Sequence, residues 1–370
     1  MVHEMMTYGE SFLSTSTSSS CSADASTVAV AQEMRADQLV SMHEWQQAIE
    51  VYFSALRSSM YAFGENSLRT AVIYDKIGNV FLRLKDFHSA IKSFKDAIEK
   101  FRILLLPGDP RIISCVYNLA RSHAALGDNA SMVTALNIYN HCLMIQRSCI
   151  TRDLLMEART ITAIAQIHEK MQQYGLAMRC FEEVLDLKTG VLGDKHFDIS
   201  TTLFSLASIH FEQEENELAI LSFKECLAIR REHNCNPEDV SSVLFNIAAI
   251  SAEICDMVEA KKYFKEAIDV ELTNHRRCTN TLMKSYHHLA RVHVTLGDLD
   301  DAISCSLECV NLAFMDDNVP VTQRIQYLKQ VGNLYLQKGN VVKAREYLDK
   351  CQELEGKQTI GAKPVSARAA

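Results

Sequence analysis

The pattern of apolar and polar positions in this chain repeats with a period of about 42 residues. In each period the fourth residue after a marker alanine is usually aromatic, and the seventh is Ala, Cys or Val. Offsets of four and seven lie on one side of a helix, so each period is predicted to contain a helix, called helix B, that packs by this stripe. The marker alanines are Ala48, Ala90, Ala135, Ala177, Ala219, Ala260, Ala302 and Ala344.

A second small residue precedes most marker alanines by twelve positions and predicts another helix, helix A, which crosses helix B where both are small. In the third period the two alanines, Ala120 and Ala135, are fifteen residues apart, so three extra residues near 129–131 are expected to loop out. The helix A residues are Ala36, Gly78, Ala165, Ala207, Ala248, Ala290 and Gly332.

Glycine marks the turns between helix A and helix B in several periods. Gly127, Gly297 and Gly339 stand where glycine typically ends a helix in a left-handed cap. Each helical hairpin buries its apolar face only against its neighbours, so the fold class predicted is an all-α, right-handed superhelical solenoid of about eight hairpins. The solenoid is expected over 28–355, after a disordered Ser/Thr-rich leader at 1–27 and before a flexible basic tail at 356–370.

The small, large, small order of helix B and the Gly-Asp or Gly-Asn turns resemble the tetratricopeptide repeat. The long period and connectors such as Leu192-Gly193-Asp194-Lys195-His196 are similar to kinesin light chain-like repeats. That resemblance implies helix-turn-helix repeats and a concave groove that binds short aromatic-acidic peptides. Light chains also carry a long heptad coiled coil before their repeats, whereas residues 1–27 show no sustained heptads, so attachment to a motor is not expected.

Composition narrows the classes of partner. A formal net charge of −8 and a pI near 5.9 disfavour nucleic acid, which requires a basic surface. No apolar stretch is long enough to span a bilayer, so no membrane partner is expected. The amino terminus has no secretory signal pattern. Four of the twelve cysteines occupy the small position of helix B and are interpreted as reduced core thiols of a cytoplasmic protein.

Helix A residues turned away from the packing stripe are predicted to line the concave face. The first two periods place Glu33, Asp37 and Asp75 there, which gives an acidic end. The later periods add an aromatic centre and a basic end that together form a candidate peptide-binding groove. Its residues are Phe204, Phe211, Phe245, Lys284, His287, Arg291, Lys329 and Asn333.

The chemistry of a metal site or an enzyme is not indicated. His123, His168, His210 and His293 share one helix A position, but they belong to different periods and are too far apart for one zinc ion. Catalytic motifs are absent, and no cofactor is expected. The sequence therefore predicts a non-enzymatic scaffold or adaptor that binds peptide segments of other proteins. The alternative is a sensor whose superhelix changes shape when a peptide binds.

Overall fold

The computed structural model describes residues 19–274 and 279–361, with side chains at 25–274 and 279–356. In these ranges every regular element is an α-helix, which confirms the all-α repeat prediction. In chain order the sixteen described helices form eight successive pairs, and each pair is called a hairpin: α1 (Ser19–Ser41), α2 (Trp45–Phe63), α3 (Leu68–Arg83), α4 (Phe87–Leu104), α5 (Pro110–Leu126), α6 (Asn129–Ser148), α7 (Leu154–Lys170), α8 (Tyr174–Leu192), α9 (Phe197–Glu212), α10 (Asn216–Glu232), α11 (Pro237–Glu253), α12 (Met257–Thr273), α13 (Thr279–Leu296), α14 (Leu299–Met315), α15 (Val321–Gln337) and α16 (Val341–Gly361).

The chain divides into two compact units, Met1–Cys180 and Phe181–Ala370. Within the first unit, helix A of one hairpin also contacts helix A of the next, as α3 does with α5 and α5 with α7. In the second unit α11 and α13 make the same contact. Consecutive A helices thus lie side by side in each unit and can present one shared face.

The crossing of helix A and helix B depends on small residues, as the sequence predicted. All eight marker alanines are fully buried. At Gly78 of α3, an added Cβ would lie 2.7 Å from Cε1 of Phe94 in α4, so no larger residue has room there. The aromatic residue of helix B therefore fills the space that the small residue of helix A leaves.

The turn inside each hairpin contains one residue with a left-handed backbone. Gly127, Gly297 and Gly339 have φ angles near +80°, which confirms the predicted glycine caps. Five hairpins use a non-glycine residue at this position, which the sequence did not reveal. Those residues are His43, Lys85, Gln172, Glu214 and Cys255.

The third hairpin differs from the prediction. Helix α6 begins at Asn129, directly after Asp128, whose carboxylate accepts a hydrogen bond from the backbone N–H of Ser131. The three extra residues therefore add nearly one turn to the start of helix B instead of looping out, and the predicted loop is wrong. Capping by Asp128 and burial of Met132 both stabilise the added turn.

The described ends of the array extend beyond the expected limits. Helix α1 begins at Ser19, inside the predicted leader, and α16 continues to Gly361, inside the predicted tail. The rest of the predicted leader, residues 1–18, and the rest of the predicted tail, residues 362–370, lie outside the described residues. Among the helices that are described, no segment has the length and apolar character needed to cross a bilayer.

Candidate functional site

A cavity of about 540 Å³ lies in the second unit between α13 and α15, which are helix A of the seventh and eighth hairpins. His287 and Arg291 line it from α13, and Lys329 and Asn333 line it from α15. The structure thus brings together four of the eight predicted groove residues. Lys284 is exposed on α13 about two helical turns before Arg291, but it does not line this cavity.

Helix α15 contributes a row of amide side chains that the sequence reading missed. Their spacing of four, three and four residues puts all of them on one side of the helix. The sequence contains this signal, because the amides recur at helical spacing while Val331 and Gly332, on another side of α15, are buried. The row consists of Gln326, Gln330, Asn333 and Gln337.

The cavity has a positive electrostatic character. Arg291 and Lys329 are its cations, and no Asp or Glu is present among the described residues that line it. The Nζ of Lys329 lies 2.7 Å from Oε1 of Glu355 at the rim, and this contact raises the pKa of Lys329. Arg291 is exposed and has no hydrogen bond or ion pair to another described residue, so its guanidinium is available to an anion.

Two neighbouring histidines form the uncharged part of the site. The Nδ1 of His287 lies 2.9 Å from Oε1 of Gln330, and burial lowers the pKa of this imidazole. The ring of His288 lies 5.3 Å from that of Phe245 and 5.7 Å from that of Phe264. Burial, reinforced by His287 and Arg291, lowers the pKa of His288 to about 4. Both histidines are therefore neutral at pH 7.

The predicted aromatic centre is occupied by packing residues. The ring of Phe204 lies 5.3 Å from that of Phe223, with the guanidinium of Arg230 over it at 5.1 Å. Phe245 packs edge-on against Phe264, and Phe211 is half-buried against the same core cluster. Phe204, Phe211 and Phe245 are each half-buried against the core, and none of them lines the cavity between α13 and α15. Aromatic rings at these positions pack against the aromatic residue of helix B.

The predicted acidic end in the first unit is also engaged within the chain. The Nζ of Lys76 lies 2.7 Å from both Glu33 and Asp37, and Arg69 pairs with Glu33 at 2.9 Å. Asp75 accepts a hydrogen bond from Asn79, and burial raises the pKa of its carboxyl group. Glu33 and Asp37 therefore join α1 to α3, and Asp75 is bonded within α3, so these carboxylates are engaged within the chain.

A second, smaller cavity of about 220 Å³ adjoins the first and shares Arg291 and Thr295 with it. Its other walls are mainly apolar and come from α11, α12 and α13. The apolar wall residues are Ala249, Ala252, Met257 and Val292, and Glu253 and His288 complete the lining. Cationic and apolar surfaces therefore meet at Arg291.

One group of side chains has the ligand types of a metal site. Ligand atoms of His293, Asp298 and Asp301 lie within 4.8 Å of one another at the turn between α13 and α14. However, Lys261 donates to Oδ2 of Asp298 at 3.2 Å, which is the oxygen that also faces His293. The equivalent histidines of two other hairpins also contact the residue before helix B: the Nδ1 of His168 contacts Gln173, and the Nδ1 of His210 contacts Glu215. The contact is interpreted as a hydrogen bond that closes the turn inside the hairpin and not as a metal centre.

Comparison with protein families gives matches in both units. One model described as "Tetratricopeptide repeat" matches residues 156–232, which contain α8, α9 and α10 and nearly all of α7. A second model with the same description matches residues 71–99, 284–314 and 325–358. The last two matches cover most of α13, α14, α15 and α16, which include the two helices that line the cavity of about 540 Å³.

Two curated proteins are distant relatives in sequence. The RxLR effector protein SFI4 of Phytophthora infestans (strain T30-4) is 22% identical over 157 residues, which are 42% of this chain and 46% of that protein. The secreted RxLR effector protein RXLR-C07 of Plasmopara halstedii is 21% identical over 267 residues, 71% of this chain and 74% of that protein. The chain thus spans about half the length of the first relative.

Solved structures share the fold at low sequence identity. The apo form of RapI has a TM-score of 0.60 and 14% identity, with coverage of 90% of this chain and 99% of RapI. A putative kinesin light chain repeat protein from Podosopora anserina has a TM-score of 0.48 and 15% identity, with coverage of 57% and 100%. The first of these supports a common helical-repeat fold.

Proposed function

We propose that this chain, which is a tetratricopeptide repeat protein, acts as an interaction scaffold that binds an extended peptide segment of a partner between α13 and α15. The observation that carries this proposal is the cavity of about 540 Å³ that gathers His287, Arg291, Lys329 and Asn333. No catalytic step is part of the proposal. Its mechanism is equilibrium binding.

The amide row on α15 supports an extended ligand. An extended segment leaves its backbone N–H and C=O groups unpaired, and a Gln or Asn side chain can donate to one and accept from the other. Gln326, Asn333 and Gln337 line the cavity along about three turns of α15. They can therefore hold the backbone of a peptide whose own sequence varies.

The cations provide selectivity for charge. Arg291 and Lys329 lie on opposite walls, and the lining contains no acidic side chain among the described residues. A carboxylate of the peptide would meet Arg291 and form a charge-assisted hydrogen bond. The adjoining cavity, with Ala252, Met257 and Val292 in its walls, would take an apolar side chain of the same segment. An acidic segment with an apolar anchor is therefore the proposed ligand class.

Titration of fluorescent peptides onto the full chain tests this function. Charge reversal by Arg291→Glu or Lys329→Glu is expected to weaken binding of an acidic peptide with an apolar anchor by about tenfold or more, which corresponds to about 1.4 kcal/mol. Gln330→Ala and Asn333→Ala should weaken the binding of acidic and of neutral peptides to the same extent. Arg345→Glu, an exposed cation of α16 outside the cavity, is the matched control. Equal affinity for the reversed variants and for the control would contradict the proposed site.

We also propose that this binding takes place in the cytoplasm. Buried thiols support a reducing compartment: Cys226 and Cys309 are fully buried, and burial raises the pKa of Cys226 to about 11. One relative is named a secreted effector, so export must be tested on this chain itself. Fluorescence microscopy of the tagged full chain is the measurement, and signal confined to the exterior of cells would contradict a cytoplasmic site of action.

A further inference from the structure

A groove on the first unit is independent of the site described above. It lies between two parallel B helices, α4 and α6, and has a volume of about 630 Å³. Its apolar floor contains Ile98, Val116 and Leu119, which are buried, and Ile138, which is half-buried. Two helical walls around an apolar floor form the kind of groove into which a third amphipathic helix packs.

The wall formed by α4 carries two unpaired cations. Lys95 and Arg102 are exposed, and neither has a hydrogen bond or ion pair to another described residue. They stand seven residues apart on one side of the helix, which corresponds to about 10 Å along its axis. Glu99 lies between them, and His141 faces them from α6. The groove therefore offers two separated positive charges with a negative charge between them.

Two large apolar side chains, together called the apolar edge, are exposed in the segments that continue α4 and α6 past the groove. Leu106, after α4, is 81% exposed, and Met144, one turn beyond His141 on α6, is 61% exposed. These two chain segments lie together, since the Sγ of Cys149 is 3.8 Å from the carbonyl oxygen of Gly108. Leu106 and Met144 are therefore available to a helix that extends past the groove.

We propose that this groove docks an amphipathic helix of a partner protein, with its apolar stripe on the floor and its acidic residues against Lys95 and Arg102. Charge complementarity selects this occupant. Carboxylates two turns apart on the partner helix would match the two cations, and a neutral or basic residue between them would meet Glu99. The apolar edge at Leu106 and Met144 would cover one end of the docked helix.

The test uses a designed helical probe of about five turns, with Leu at heptad a and d positions and Glu on the flank that faces α4. An otherwise identical probe has Lys on that flank, and a third has the Leu positions scrambled. Fluorescence anisotropy is measured with the full chain carrying Arg291→Gln and Lys329→Gln, so that the cations between α13 and α15 do not attract the acidic probe and no new carboxylate attracts the Lys probe. The acidic probe is expected to bind at least about tenfold more tightly than either of the others.

Charge reversal identifies the groove. Lys95→Glu with Arg102→Glu should reverse the preference, so that the Lys probe binds more tightly, and Leu106→Ser with Met144→Ser should weaken both probes several-fold. Lys350→Glu, in the groove between α14 and α16, is the matched control and should change nothing. Retained acidic preference in the double reversal, or its loss in the control, would overturn the inference. So would sedimentation showing that a second copy of this chain occupies the groove.

Discussion

The ammonium group of Lys329 lies 2.7 Å from the carboxylate of Glu355, so the last helix places one of its own carboxylates at the rim of the proposed site. Both side chains are about half exposed, and solvent screens an ion pair in that setting, so it contributes little to stability. The internal carboxylate therefore competes weakly with an anionic ligand for Lys329. A ligand can displace it at small cost.

The substitution Glu355→Gln is expected to raise the affinity for an acidic peptide by up to about fivefold, because Lys329 loses its internal partner. Peptide titration at low and high salt measures the effect, which should shrink as salt screens the charges. Asp300→Asn is the control, since it removes the partner of Lys338 in a pair outside the cavity. A lower affinity in Glu355→Gln than in the parent chain would argue against competition.

Gly78→Ala is expected to destabilise the first unit by about 1–3 kcal/mol, because the new Cβ would lie 2.7 Å from the ring of Phe94. Urea unfolding monitored by circular dichroism gives the change. Gly190→Ala, at an exposed helical position with no atom within 4 Å of the new Cβ, should be neutral or stabilising. If Phe94→Leu restores much of the lost stability in the double variant, the clash is the cause; an unchanged loss would contradict it.

The fold could be predicted from sequence because crossing helices impose the same small residue in every period. Ala177 and Ala219 are completely buried for the same steric reason that excludes a side chain at Gly78. This constraint acts within one hairpin, so the spacing of residues along the chain records it. The start of α6 was predicted wrongly because the capping by Asp128 and the burial of Met132 depend on three-dimensional contacts.

The candidate site could be predicted only in part, because the exposure of a helix A residue depends on the next hairpin. Glu33 was predicted to be free, but Lys76 of the following helix A binds it. Phe245 was expected in the groove, but His288 of the following helix A packs against its ring. Arg291 has no ion pair to another described residue, whereas Lys329 pairs with Glu355 of α16, so the role of both cations in a groove stays a prediction.

Lys85→Gly is expected to stabilise the chain by about 1 kcal/mol, because Lys85 has a φ of 59°, a conformation that costs an L residue about that much and glycine almost nothing. Urea unfolding measures the gain. Lys85→Ala removes the same side chain without relieving the backbone and should change stability little. Gly297→Ala, at the equivalent turn of the seventh hairpin, where φ is 81°, should lower the free energy of unfolding by a similar amount. Equal stability of the Gly and Ala variants at position 85 would exclude the backbone explanation.

Stability is expected to fall between pH 6.5 and pH 4 in part because of His288, whose pKa burial lowers from 6.5 to about 4. A base with a lowered folded pKa binds fewer protons when folded than when unfolded, so its contribution is complete above pH 6.5 and is lost as pH falls toward 4. His288→Phe keeps a ring beside Phe245 and Phe264 without titrating. The urea midpoint of this variant should fall less steeply over that interval than the parent midpoint. Parallel slopes for parent and His288→Phe would contradict the assignment.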